Sequence, residues 1–102
     1  MEVPQEELRQ AVERLHACRA TFREVVSVTE YFEGQTAWEG TVHVFDVSGY
    51  PTATICYAWS SPVEGSDRRR FYAVLKLPPV LTPEDAVRAS IVNDHRASKS
   101  DA

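Results

Sequence analysis

The chain has 102 residues, of which 43% are hydrophobic and 25% charged, with a formal net charge of −4. That is the size of one domain with ordinary globular composition, and it excludes collagen, coiled-coil and disordered classes. A chain this long buries roughly 65% of its unfolded surface, enough for a core without disulfides or a structural metal. No apolar stretch approaches the roughly 18–20 residues of a membrane span. The opening residues MEVPQEELRQ are polar and acidic, unlike a secretory leader, so a cytoplasmic location is expected.

Charge is unevenly spread. Residues 1–67 carry 11 acids against 4 bases, and residues 68–102 carry 4 acids against 7 bases. The overall acidity disfavours a dedicated duplex-binding protein, while the split favours head-to-tail contacts between copies. Cys18 and Cys56 stand far apart, without CxxC or CxxH spacing. They are expected as two reduced thiols, and no zinc site is expected, since one needs about four ligands with local pairs.

The first predicted element is a helix over Gln5–Phe22, following Pro4. Leu8, Ala11, Val12, Leu15, Cys18 and Phe22 recur at three- and four-residue steps and form one apolar stripe. Val25–Phe32 is β-branched and aromatic and predicts a strand. Gly34-Gln35-Thr36 turns it into a second strand, Trp38–Val47. After Ser48-Gly49-Tyr50-Pro51 come strands Thr52–Ser60 and Arg69–Leu77, the latter stopped by Pro78-Pro79. The last helix, Pro83–Arg96, has Thr82 as N-cap, Pro83 at the first helical position and Asp85 in capping-box spacing. Residues 1–4 and 97–102 are expected to fray.

The resulting order, α-β-β-β-β-α, predicts one α+β domain spanning 1–102. It has two layers: a four-stranded antiparallel meander with the N-terminal and C-terminal helices on one face. A central turn at Gly49-Tyr50 sets Val47 opposite Thr52, His43 opposite Cys56 and Gly40 opposite Trp59. Side chains alternate, so Val42, Val44, Ile55, Tyr57 and Trp59 share a face. Phe71, Ala73, Leu75 and Leu77 are expected to join them beneath the helices. Thr41, His43, Phe45, Val47, Thr54, Cys56 and Ala58 take the other face, with Tyr72, Val74 and Lys76. That second face has no cover within the chain, and an open, partly apolar patch points to a partner, most simply a second copy.

Several constellations bear on chemistry. His43 beside Cys56 is a candidate thiolate–imidazolium pair, although no third group orients the imidazole. His43 with Glu30, Glu33, Glu39 or Asp46 is a candidate acid–base pair, against an ordinary solvated strand. Arg68-Arg69-Arg70 with nearby rings is the mixture that single-stranded nucleic acid needs, but acids precede it and the whole chain is acidic. Trp38, Trp59, Tyr31, Tyr57 and Tyr50 are candidates for lining an apolar or aromatic ligand pocket. No P-loop, GxGxxG, GxSxG or HExxH is present, so no cofactor is implied.

The expected function is therefore a small binding or interaction module that self-associates through the open sheet face. Phe45, Tyr72, Val74, Thr54, Trp38, Trp59 and Tyr57 are its ligand or interface residues. A small-molecule-binding protein or enzyme using His43 is the alternative, and a nucleic-acid binder using Arg68, Arg69 and Arg70 is the third reading.

Overall fold

The computed structural model describes residues 4–63 and 65–100. Helix α1 spans Gln5–His16 and buries Leu8, Ala11 and Val12, with Glu6 and Glu7 in the first turn, where the helix dipole favours acids. It is shorter than its apolar periodicity predicts. Ala17 adopts left-handed geometry, φ 51° and ψ 50°, and ends the helix. Strand β1 starts at once, Arg19–Phe32, six residues earlier than expected. Phe22 therefore lies on a strand opposite Phe45. The Ala20 amide donates to the Glu13 carboxylate at 2.8 Å, fastening α1 to the strand that follows it. That bond also holds the Glu13 carboxyl below the usual carboxylate range.

Strands β2 (Gln35–Ser48), β3 (Ile55–Pro62) and β4 (Arg69–Leu75) complete one antiparallel sheet of order β1-β2-β3-β4. The α+β class, the α-β-β-β-β-α order and the meander are as the sequence predicts. The central register is not. His43 faces Ala58, and Phe45 faces Cys56, a shift of two residues from the expected pairing. The connection is longer than a two-residue turn: Val47 donates its N–H to the Thr54 carbonyl at 2.9 Å, and residues 49–54 form the loop. A shift of two keeps every side chain of β2 and β3 on its expected face.

Two departures matter for function. In β4, Leu75 pairs with Cys56, Ala73 with Ala58 and Tyr72 with Trp59. Phe71, Ala73 and Leu75 thus share the face of Phe45, while Tyr72 and Val74 share the face of Trp59, the reverse of the expectation. Second, the two helices pack on opposite faces rather than on one. Leu8 and Val12 of α1 pack with Ala20, Phe45, Val47, Cys56, Ala58 and Leu75. Helix α2, Pro83–Ser100, buries Ala86 and Val87 against Val28, Val42, Val44, Tyr57 and Trp59. The molecule is α1, sheet, α2 in three layers.

Helix α2 begins as its sequence predicts. The Asp85 N–H donates to Thr82 Oγ1 at 3.1 Å, and the Asp85 carboxylate accepts from the Leu81 N–H at 3.1 Å. A Glu in a capping box reaches the N-cap amide itself; Asp85 bonds one residue earlier. The helix continues to Ser100, so 97–100 are helical, whereas the expected frayed ends 1–3 and 101–102 lie outside the described residues. Among the described residues no helix is long and apolar enough to cross a membrane.

Candidate functional site

The β2–β3 ladder ends at His43–Ala58. Beyond it the two strands part, leaving a cleft of about 270 Å³ between residues 38–43 of β2 and 59–62 of β3. Trp38 spans the gap. Its ring folds over Gly40, where an added Cβ would lie 3.1 Å from the indole, so this strand position suits glycine. Its Nε1–H donates to Ser61 Oγ at 3.1 Å. The Trp38 and Trp59 rings meet edge to face, 6.1 Å apart.

The polar side of the cleft comes from β4. Arg69 Nε donates to Ser60 Oγ at 2.9 Å, and a terminal nitrogen donates to the Ser60 carbonyl at 3.3 Å. The Arg69 side chain is half-buried, and among the described residues it makes no ion pair. His43 forms part of the wall, its ring 5.9 Å from Phe22 and 6.4 Å from Phe45. Thr41, Glu39, Pro62 and, from α1, Leu8 complete the lining. The cleft combines two indoles, several hydroxyls, an imidazole and one guanidinium. It suits binding better than proton transfer. His43 and Glu39 are four residues apart on one strand, about 13 Å at the usual strand rise, too far to share a proton.

The other expected site residues are dispersed. Cys56 is wholly buried beneath α1, opposite Phe45 rather than His43. Burial pushes its thiol up to about 12, so the nucleophile reading has no reactive thiolate to use. Phe45 is 0% exposed. The open face expected around Phe45, Cys56, Tyr72 and Val74 therefore does not exist: α1 covers its first half, and Tyr72 and Val74 lie on the opposite face beside α2. Thr54 is exposed in the loop before β3. Tyr57 is core, and its hydroxyl donates to the Leu81 carbonyl at 3.3 Å, tying β3 to the start of α2. Tyr31 is exposed near the β1–β2 turn, and Tyr50 packs by His16, so neither joins Trp38.

The three arginines do not form one patch. Arg68 is exposed, Arg69 turns to Ser60, and Arg70 stacks over Tyr72 at 5.0 Å. Tyr72 in turn stacks on Trp59 at 5.1 Å, so rings that a nucleobase would need are occupied by one another. Of the carboxylates, buried Glu30 accepts from Arg88 at 2.7 Å and Asp46 pairs with Arg23 at 2.9 Å. Among the described residues no group of three His, Cys, Asp or Glu is arranged to hold a metal ion.

Sequence reasoning missed Ser60 and Ser61 as site residues, and it named Arg69 only as part of a nucleic-acid patch. The one signal available was Trp38-x-Gly40, since an aromatic two residues from a strand glycine lies on its face and can fold over it. Comparison with protein-family models, with curated proteins and with solved structures finds no match to this chain.

Proposed function

We propose that the chain is a small-molecule-binding protein whose site is the cleft between β2 and β3, and that its ligand pairs a flat apolar body with an anionic group. The observation that carries this reading is Arg69, a half-buried guanidinium held by Ser60 without a carboxylate partner among the described residues, at the mouth of an indole-lined cleft. Such a cation is oriented and incompletely compensated, and a carboxylate or comparable anion completes its hydrogen bonds. Half-buried Trp38 offers its ring to a planar body, with the buried Trp59 packed edge to face behind it. The volume is near the low end for ligand sites, which limits the ligand to about the size of one substituted ring. Two unpaired cysteines sit well with a reducing compartment such as the cytoplasm.

The test uses benzoate, its neutral analogue benzamide, and inorganic phosphate as probes, read by amide chemical shifts. Benzoate is expected to move Thr41, Ser60 and Ser61 and to outcompete benzamide. Arg69→Gln is expected to lower benzoate affinity about tenfold or more, the scale of one charge-assisted hydrogen bond. Shifts scattered over the surface, or the same affinity in Arg69→Gln, would remove this reading.

A further inference from the structure

The sheet has two edges, and they are built differently. β4 has 7 residues, and two of its outward carbonyls, those of Ala73 and Leu75, are already taken. His16 Nε2 donates to the Ala73 carbonyl at 2.7 Å, and the Leu77 N–H donates to that of Leu75 at 2.9 Å. Arg68 precedes the strand, Arg69 and Arg70 open it, and Pro78-Pro79 come soon after it. These are the devices by which proteins blunt an edge against other strands.

The β1 edge carries less of this protection: its regular stretch holds two charges, Glu24 and Glu30, and Glu30 is turned inward onto Arg88. β1 has 14 residues, and among the described residues nothing pairs along its outer side. Its own bulge is at Arg23. The later irregularity comes from an extra residue on β2, Ala37, so β1 alternates regularly from Glu24 to Phe32. That stretch contains no proline and no lysine and is rich in β-branched residues. Val25 and Tyr31, 49% and 67% exposed, lie on the side of the sheet away from α2.

We infer that β1 pairs antiparallel with β1 of a second copy, across a two-fold axis through Val28, making one continuous eight-stranded sheet. The register follows from side-chain matching. Opposed residues share a face only when the axis passes through a residue position. An axis through Ser27 sets Glu24 against Glu30 of the partner subunit, two like charges. An axis through Val26 leaves Tyr31 beyond the partner's bulge. Through Val28, exposed Val25 meets the partner's Tyr31 twice, once for each copy, as an aromatic–β-branched pair. Ser27 then meets the partner's Thr29, and the regular stretch Glu24–Phe32 pairs with itself from end to end, stopping short of the bulge at Arg23. An isologous contact of this kind closes on itself as a dimer. The edge is distinct from the cleft, so this inference and the ligand reading stand or fall separately.

The experiment is light scattering coupled to size exclusion, with circular dichroism on every sample. At high micromolar concentration the wild type is expected at twice the 11.5 kDa of one chain. Val25→Glu with Tyr31→Glu sets like charges opposite each other at both ends and is expected to halve the mass with the fold intact, because both side chains are exposed. Val25→Lys with Tyr31→Glu sets opposite charges at the same two positions and is expected to recover the dimer. A monomeric wild type, a dimeric doubly acidic variant, or a monomeric charge-complementary variant would each overturn the pairing.

Discussion

At the scale of single residues, burial decides what the cysteines do. Cys56 lies at the centre of the α1-side core, where desolvation penalises the thiolate and pushes the thiol up to about 12. Cys18 is half-buried, and burial with the nearby Glu13 charge raises it too. The thiolate is the reactive form, so both should be sluggish at pH 8. A disulfide reagent is expected to titrate Cys18 slowly and Cys56 not at all in the native protein, and both at once in denaturant. Cys18→Ser should abolish the native reaction, whereas Cys56→Ala should leave it unchanged. Rapid native modification of Cys56 would return it to the list of nucleophiles. Its face was legible from strand alternation; its partner was not. Pairing depends on the length of the turn, and Gly49-Tyr50 looks like a two-residue turn although six residues form the loop.

Among the elements, α1 shows how a periodic stripe can mislead at its end. Cys18 and Phe22 continue the helical spacing of Leu8 and Val12, yet they reach the same core from beyond the helix and from β1. Periodicity records which residues are buried, and burial here is shared by two kinds of backbone. The stop at Ala17 had no glycine to announce it. The start of α2 was legible because Thr82, Pro83 and Asp85 act within one turn. Two substitutions on one helix separate core from surface. Val12 is fully buried, so Val12→Asp leaves an unpaired charge in the core at a cost of several kcal/mol. Against a total stability of about 5–15 kcal/mol, that should leave much of the protein unfolded. Leu15 is 55% exposed on the same helix, and Leu15→Asp should shift stability by no more than about 0.5 kcal/mol. Urea midpoints compare the two; equal losses would mean that α1 is rotated about its axis.

For the whole molecule, the central strand carries the signal that the two-layer expectation overlooked. Ile55-Cys56-Tyr57-Ala58-Trp59 is apolar at every position, and its last four residues are buried. A strand without alternation is covered on both faces, here by α1 and by α2. The cleft was not legible, because nothing in β2 or β3 marks where a ladder stops. That stop has a measurable consequence. Within a strand, alternate residues direct their backbone groups to opposite neighbours. The Val47 N–H bonds to Thr54 on the β3 side, so the amides of Phe45, His43, Thr41 and Glu39 face β3 as well. Phe45 lies within the ladder; Thr41 and Glu39 lie beyond it and face the cleft. Hydrogen exchange should therefore divide one strand. Phe45 and Val47 are expected to exchange only on opening of the core, while Thr41 and Glu39 exchange within about tenfold of an unstructured peptide. Their neighbour Val42 faces β1 across an intact ladder and should be slow, which makes it the internal control. If Thr41 and Glu39 are as protected as Phe45, β2 and β3 are zipped together in solution and the space between Trp38 and Arg69 is closed to any ligand.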